Sequence, residues 1–464
     1  MHGSLDVRLD QVLQADYHHA ARILKDLDGA FAAVFWDASN RKLVIVTDAM
    51  GLQPLYIFRH QDLLLLATEI KAFPASSKVE IQMDPAGWGA FISLGHHIGR
   101  DTQLAGVKRV DPATVMIYDS ASGNVTSERY WSWPETQPDL TLERVNTEAM
   151  KEAMIQEIRA YTQHSQKGLL LLSGGFDSRI TLAMLCQAGL PPDVLILAHQ
   201  DELWGLDSKL AVRAAKQLQV HYQLVKPSRS YYSTKAYLDY LVMNELTTPS
   251  LYLFIAQVSS YLNGGMQVVW DGTPPGYAFV PAFLPPGGFD VFLKESCLTR
   301  QDFGWQIASL LFGTARTDDM FEAFSESLKK EISKYPDNES GIAQFEAFHR
   351  MRNRTSPNAL KVYANFSLPF MLGVSRPFWE SAAVVPYSAS KNYELYFELF
   401  RRYSPPLARI PFLTGGELFC DPSSGMLGLL HTAGYQMAKS RVIQKSRKAC
   451  RRFLRGSKKY WTES

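Results

Sequence analysis

Cysteine is scarce in this sequence, and its four copies are far apart, at Cys186, Cys297, Cys420 and Cys450. They form neither a CxxC pair nor a zinc-ligand spacing, and they argue against a secreted fold held together by disulfides. We therefore expect no structural metal knuckle and a reducing compartment, the cytoplasm.

Long apolar runs and an excess of one charge are also missing. No uncharged stretch reaches the roughly 20 residues that a transmembrane helix requires, and the first thirty residues contain no apolar signal core. Lys and Arg number 48 against 46 Asp and Glu, so charge gives no argument for a nucleic acid partner. We expect a globular protein without a transmembrane segment and without nucleic acid.

The C-terminus is the local exception to this balance. The stretch from Lys439 to Lys459 carries ten basic residues and no acid. A helix that binds a membrane or an anionic partner is one interpretation, and a solvated basic tail at 441–464 is the other.

The first part of the chain has the pattern of antiparallel strands. Residues 27 to about 70 contain "AFAAVFWD" and "KLVIVTD" joined by "ASNR", a hairpin signal. One more strand is predicted from Thr114 to Tyr118. A link rich in Pro and Thr, from Pro134 to Leu142, follows it, and we place the boundary of a first domain, 1–135, there.

After this link, buried strands alternate with helices. A helix is predicted at 143–162, a strand at 169–172, a helix at 179–187, and further apolar strands in "DVLILAH" and "QVVWDG". Strands that are apolar on both faces indicate a parallel sheet covered by helices, an α/β domain at 143–440. Ligands bind such sheets at the carboxyl ends of the strands, where Ser173 and Asp271 both fall.

The stretch "SGGFDS", residues 173–178, lies between a buried strand and a helix. Two glycines permit positive φ and remove side chains, so that backbone N–H groups can converge on an anion. The start of the following helix adds a positive dipole end. The stretch is neither a Walker loop nor a GxGxxG dinucleotide loop.

The other residues of this loop fit a pyrophosphate site. Ser173 and Ser178 can donate hydroxyl hydrogen bonds, Asp177 can bind Mg²⁺, and Arg179 can contact a phosphate with both nitrogens. The alternative is a tight turn in which Asp177 serves as the N-cap of a helix.

Several segments, in order along the chain, resemble the glutamine-hydrolysing asparagine synthetases and their relatives, such as β-lactam synthetase. "SGGFDS" resembles their SGGxDS loop, and "LDGAFAAVFWD", "GLQPLY" and "ATEIKAF" resemble the second half of their glutaminase domain. "GVSRPFWESAAVVP" resembles their RVPFLD segment. The resemblance covers nearly the whole chain.

The resemblance implies an ATP-pyrophosphatase synthetase domain with a helical C-terminal part, preceded by a partial α+β class II glutaminase domain with antiparallel sheets. It implies ATP and Mg²⁺ as cofactors. The implied pyrophosphate residues are Ser173, Gly174, Gly175, Asp177 and Ser178, with Asp177 and Asp271 as metal and catalytic residues. Positions expected beside the nucleotide are Leu172, Leu197, Ala198 and Gly272.

The first departure from the family pattern concerns glutamine hydrolysis. Class II glutaminases use an N-terminal cysteine as nucleophile, whereas this chain begins Met1-His2-Gly3 and has no cysteine before Cys186. We predict no glutamine hydrolysis, whether the cause is loss of the nucleophile, a separate partner chain or a misplaced start codon.

Two further departures concern the synthetase site. "WDGTPPGYAF" stands where the family has SGxGxDE, so Asp271 is the candidate second carboxylate, with a capped turn as the alternative. "ARIPFLTGGELF" lacks the family's lysine. Arg350, Arg352 and Arg354 are candidates to supply this charge, although an arginine-rich helix face is more typical of solvated surface.

The sequence therefore predicts an ATP-dependent, AMP- and pyrophosphate-forming amide ligase that adenylates aspartate or a similar small carboxylate. Ammonia would be free or supplied by a partner glutaminase, and a homodimer is left open. The alternatives are a ligase for a different carboxylate and a homologue that binds nucleotide without turnover.

Overall fold

The computed structural model describes most of the chain. The described residues are 11–61, 63–162, 168–198, 204–226, 230, 233–245, 268–279, 288–293, 297, 303–414 and 417–425. The predicted basic tail at 441–464 lies outside them. Within this part of the chain, no helix is both long enough and apolar enough to cross a bilayer.

The first part of the chain forms two antiparallel sheets, as its strand pattern predicts. The strands are β1 (Ala32–Asp37), β2 (Lys42–Thr47), β3 (Tyr56–His60), β4 (Leu63–Ala67), β5 (Val107–Arg109), β6 (Thr114–Asp119) and β7 (Val125–Arg129). One sheet has the order β1-β2-β6-β7 and the other β4-β3-β5. Two helices accompany them, α1 (Tyr17–Lys25) and α2 (Pro85–Leu94), and α1 covers the β1-β2 sheet with an apolar face.

The second part contains the predicted parallel sheet. Its strands are β8 (Leu169–Leu171), β9 (Asp193–Leu197), β10 (Tyr222–Val225), β11 (Val268–Asp271) and β12 (Leu368–Met371). All four neighbouring pairs are parallel, in the order β10-β9-β8-β11-β12. A short antiparallel pair, β13 (Phe412–Thr414) and β14 (Glu417–Phe419), follows.

Helices surround the parallel sheet and fill the rest of the second part. The first are α3 (Thr147–Thr162), α4 (Phe176–Gln187), α5 (Trp204–Gln217), α6 (Lys235–Asn244), α7 (Thr273–Phe279) and α8 (Gly288–Phe292). The later ones are α9 (Phe303–Phe312), α10 (Thr314–Ile332), α11 (Glu339–Glu346), α12 (Arg376–Ala382), α13 (Tyr387–Ser390), α14 (Glu394–Tyr403) and α15 (Pro405–Ala408). A π-helical segment, Ala347–Thr355, continues α11.

The two parts share one apolar core. Met50, Leu52 and Trp131 of the first part pack in the same buried cluster as the strands and helices of the second. Residues of the predicted link also contact the second part, since the Gln137 N–H donates to the Val384 carbonyl at 2.9 Å. The parts are therefore joined by continuous packing, and the boundary itself stays a prediction.

A buried arginine reinforces this junction and corrects one expectation. The predicted solvated arginine face does not hold for Arg352, which is 2% exposed. Its guanidinium donates to the carbonyls of Gly51 and Val110, and burial lowers its pKa to about 9. Arg352 thus connects the helical segment after α11 to the first part of the chain. Its buried hydrogen bonds contribute more to stability than those of a solvated side chain would.

Candidate functional site

The candidate site lies at the carboxyl end of β8, the central strand of the parallel sheet. From β8 the chain passes to β9 on one side, and β11 lies on the other side. A crevice outside the strand ends is expected where successive connections run in opposite directions. The loop 172–175 leaves β8 at this point, and α4 begins at Phe176, three residues earlier than the predicted start.

Backbone amides of the loop are bonded to its own serine hydroxyls. The Ser173 N–H donates to Ser178 Oγ at 3.0 Å, and the Gly175 N–H donates to Ser173 Oγ at 3.2 Å. The two hydroxyl oxygens are 3.0 Å apart. The hydroxyls of Ser173 and Ser178 therefore lie together and accept from backbone N–H groups that could otherwise donate to a phosphate oxygen, and their phosphate-binding role stays a prediction.

Gly174 of the loop allows another part of the chain to approach closely, and the loop glycines do not adopt unusual backbone angles. Neither Gly174 nor Gly175 has positive φ, which corrects that part of the expectation. A Cβ on Gly174 would lie 2.9 Å from both the carbonyl oxygen and Oδ1 of Asp207, in the first turn of α5. The Gly174 N–H donates to that same Oδ1 at 2.8 Å. Only glycine leaves room for α5 at this distance.

Arg179 has a different environment from the one predicted. Its side chain is completely buried, and its guanidinium donates to the carbonyls of Gly174, Ile410 and Pro411 at 2.7–3.2 Å. It also stacks on the Phe412 ring at 4.2 Å. These contacts hold the loop to the segment that enters β13. The nitrogens of Arg179 therefore bond backbone carbonyls of the protein and are not directed at a phosphate.

Asp177 is a partly buried carboxylate of the site. It lies in the first turn of α4 and not at the N-cap, which is Gly175. The Tyr396 hydroxyl of α14 donates to its Oδ1. The pKa of the Asp177 carboxyl is raised to about 7: removal from water raises it most, the hydrogen bond from Tyr396 lowers it, and the charge of Asp271 raises it. An acid with a shifted pKa beside another acid is typical of functional sites.

Strand β11 brings Asp271 and Gly272 close to Asp177. Asp271 ends β11, is partly buried and acts on the pKa of Asp177 through its charge. A Cβ on Gly272 would lie 2.5 Å from Thr181 Oγ1 and 2.8 Å from the Asp177 carbonyl. The backbone after Asp271 therefore packs directly on the first turn of α4, and it continues into α7 where a turn is predicted.

The positions expected beside the adenosine lie at the carboxyl ends of neighbouring strands. Leu172 follows β8 and is buried, with its N–H donating to the Leu195 carbonyl at 3.0 Å. Leu197 ends β9, and the Ala198 N–H donates to the Val225 carbonyl at 2.6 Å. Both strand ends flank the loop, and the nucleotide contacts assigned to them stay predictions.

The carboxylates of Asp177 and Asp271 fit a hard divalent cation, since two partly buried acids that repel one another are stabilised by a cation between them. Among the described residues, no group of three or more His, Cys, Asp or Glu side chains is arranged to hold a metal ion alone. Asp177 and Asp271 would thus supply two protein ligands, and phosphate oxygens of a nucleotide would supply others.

Three residues of this site were not predicted from the sequence, and the first two have no local signal in it. Tyr396 is 219 positions from Asp177, and Asp207 is 33 positions from Gly174. Gly276 of α7 is the third, because a Cβ there would lie 2.7–2.9 Å from the Asp177 carboxylate atoms. The glycine in "TPPGYAF" is a visible cue, since glycine inside a helix is unfavourable and indicates a packing requirement.

Comparison with known proteins relates the first part of the chain to a defined family. A family model described as a glutamine amidotransferase domain matches residues 10–131. This match covers less than half of the chain. It includes β1–β7, and the two antiparallel sheets formed by these strands agree with the predicted glutaminase-type domain.

Three curated proteins are similar to this chain over longer stretches. "Amidase chry2" of Gibberella zeae is 27% identical over 311 residues, and "Amidase chyE" of Penicillium rubens is 25% identical over 316 residues. These alignments cover 62% and 63% of this chain and 44% of each relative. An asparagine synthetase (glutamine-hydrolysing) of Bacillus subtilis is 25% identical over 166 residues, 34% of this chain and 25% of that protein. The chain thus spans less than half of the length of these relatives.

Solved structures with partial overlap include two ammonia-using or mononucleotide synthetases. The NMN synthetase of Francisella tularensis overlaps 46% of this chain and 94% of its own, with 11% identity and a TM-score of 0.25. The NH3-dependent NAD synthetase of Campylobacter jejuni overlaps 44% and 93%, with 16% identity and a TM-score of 0.23. Scores this low support no conclusion about this chain.

Proposed function

We propose that this protein is an ATP-dependent amide ligase that forms AMP and pyrophosphate. The observation that carries the proposal is the loop at residues 173–178 together with Asp177 and Asp271 at the carboxyl ends of β8 and β11. The glutamine amidotransferase match of residues 10–131 supports amide nitrogen chemistry as its setting, and so does similarity to an asparagine synthetase.

The first proposed step activates a carboxylate. A carboxylate oxygen of the substrate attacks the α-phosphorus of ATP, the bond to the bridging oxygen breaks, and pyrophosphate leaves with the electron pair. The loop amides and the hydroxyls of Ser173 and Ser178 stabilise the charge that develops on pyrophosphate. Asp177 and Asp271 would hold Mg²⁺, which neutralises phosphate charge when it is bound, and Tyr396 fixes the position of the Asp177 carboxylate.

The second proposed step forms the amide. The nitrogen of ammonia or an amine attacks the acyl carbon of the acyl-adenylate, AMP leaves with the bonding electrons, and the nitrogen loses a proton. The step releases this proton to the solvent. Aspartate is the acyl substrate that the resemblance favours, and ammonia is free or delivered by another protein.

A different carboxylate is the second candidate, and a specific observation favours it. The helix α7 lies with Gly276 against Asp177. By the resemblance, it stands where the asparagine synthetases have an acid-containing element, and it would line the acyl site. A changed wall changes which acyl group fits, because specificity depends on contacts that differ between competing substrates. The two relatives named as amidases support amide chemistry, but they do not indicate which carboxylate is used.

The test is release of AMP and pyrophosphate from ATP and Mg²⁺ with a panel of amino-acid and other small carboxylates, with either ammonium or glutamine as nitrogen source. Release that depends on one carboxylate and on Asp177 identifies the ligase and its substrate. Binding of ATP without AMP formation for any carboxylate would instead identify a nucleotide-binding protein without turnover.

A further inference from the structure

A carboxylate of the chain itself is bonded to the candidate phosphate loop. Asp207, in the first turn of α5, accepts the Gly174 N–H at 2.8 Å. The approach is built into the sequence, because a side chain at Gly174 would collide with the backbone and the carboxylate of Asp207. A charge-assisted hydrogen bond of this length is among the stronger contacts that a backbone amide makes.

The three consecutive amides of the loop differ in what they are bonded to. Those of Ser173 and Gly175 donate to serine hydroxyls, which are neutral and can rotate to donate to a ligand. The amide of Gly174 donates to a negative charge. An anion that uses all three amides must therefore replace two neutral acceptors and one carboxylate.

The loop does not depend on Asp207 alone for its shape. The Gly174 carbonyl accepts from the Arg179 guanidinium at 2.7 Å and from the Leu413 N–H at 2.9 Å. Because these contacts hold Gly174 from its carbonyl side, its N–H can remain oriented when the carboxylate is removed or displaced.

We propose that the Asp207 carboxylate occupies the place of an anionic ligand oxygen on the Gly174 amide, and that a nucleotide's pyrophosphate group displaces it on binding. Asp207 then lowers the affinity of the loop for anions, because its carboxylate competes with them for the Gly174 amide. The inference rests on the proposed function for the identity of the ligand, but its test uses binding and does not require turnover.

The decisive variant is Asp207→Asn, which keeps the size and the acceptor oxygen of the side chain and removes its charge. We expect inorganic pyrophosphate with Mg²⁺ to bind at least tenfold more tightly to it than to the wild type, equivalent to about 1.4 kcal/mol, as measured by calorimetry. Asp193→Asn is the matched control. It removes one charge from the same sheet at the start of β9, where Asp193 lies 3.3 Å from His221, so its affinity should equal that of the wild type.

A measurement on the wild type keeps the test valid if the variant folds poorly. The amide resonance of Gly174 should move when pyrophosphate and Mg²⁺ are added, because its acceptor changes from carboxylate to phosphate. An unchanged resonance at saturating pyrophosphate, with the resonances of Ser173 and Gly175 moving, would show that Asp207 stays in place and would overturn the displacement.

The outcomes separate this inference from the proposed function. Equal or weaker pyrophosphate binding by Asp207→Asn, with normal binding by the wild type and Asp193→Asn, contradicts the role of Asp207 and leaves the ligase proposal intact. Absence of pyrophosphate and ATP binding in all three proteins contradicts the phosphate site itself, and both proposals fail with it.

Discussion

Replacing Gly276 by alanine separates the stability of α7 from the position of the Asp177 carboxylate. The glycine lies inside a short helix, where alanine is normally favoured. Here the added methyl carbon would lie 2.7 Å from Asp177 Oδ1 and 2.9 Å from both Cγ and Oδ2. Ordinary van der Waals contact begins near 3.4 Å, so the methyl group and the carboxylate cannot both keep their positions.

Opposing contributions set the change in stability. The helix gains about 1 kcal/mol from replacing glycine with alanine, and overpacking of a buried contact costs about 1–3 kcal/mol. The free energy of unfolding should therefore fall by no more than about 2 kcal/mol. Displacement of the carboxylate by several tenths of an ångström to 1 Å should lower AMP formation by roughly 10²-fold, because a misplacement of 1 Å can have an effect of this size.

Urea unfolding and AMP release measure the two effects on the same preparation. Gly205→Ala is the matched control, since Gly205 is also helical, in α5, and has open space around its Cβ position. That variant should be as stable as the wild type or up to about 1 kcal/mol more stable, with normal activity. Gly276→Ala with full activity would refute the placement of α7 against a functional Asp177.

Two other substitutions test the buried charges. Burial raises the pKa of Glu157 to about 7, so the folded chain keeps a proton that the unfolded chain releases above pH 4.5. The free energy of unfolding of the wild type, relative to that of Glu157→Gln, should therefore decrease by about 3 kcal/mol as pH rises from 4.5 to 7. A difference that stays constant with pH would contradict this. Lys361→Met should lower the free energy of unfolding by about 3–5 kcal/mol in urea, because it leaves Glu245 buried without its cation. Lys235→Met breaks an exposed ion pair and should lower it by less than about 0.5 kcal/mol. Equal effects of the two substitutions would refute the difference in burial.

The parallel sheet and the loop were predictable because their signals are local. Apolar runs on both faces predict the strands β8, β9 and β11, and their alternation with helices predicts a parallel sheet. The strand ends then place Ser173 and Asp271 at the same edge of the sheet, and the structure has both residues there. The helix of "SGGFDS" began earlier than predicted, because helical periodicity becomes visible only after the first turn.

The residues that complete the site were not predictable, because tertiary packing brings them in from distant positions. Tyr396 lies on α14 and reaches Asp177 only through the packing of that helix on α4, with Phe176 stacked on the Tyr396 ring at 4.9 Å. Arg352 and Gly51 are 301 positions apart. In both cases the local pattern indicates a helix face, and only the fold shows which partner it meets.

The loop glycines show how a correct pattern can have a different physical cause. A glycine pair permits positive φ, but neither residue has it in the structure. Gly174 is required because α5 and Asp207 approach it closely. The sequence contains the glycine but not the neighbour that makes it necessary.

The central claim is that Asp177 and the loop hold ATP while a carboxylate is adenylated. The most direct measurement is transfer of ¹⁸O from a labelled carboxylate substrate into AMP, with ATP and Mg²⁺ present, for the wild type and for Asp177→Asn. Transfer of one labelled oxygen to AMP by the wild type, lost in the variant, is the predicted result, since the carboxylate oxygen attacks the α-phosphorus. Unlabelled AMP, or labelled inorganic phosphate with ADP, would contradict the account.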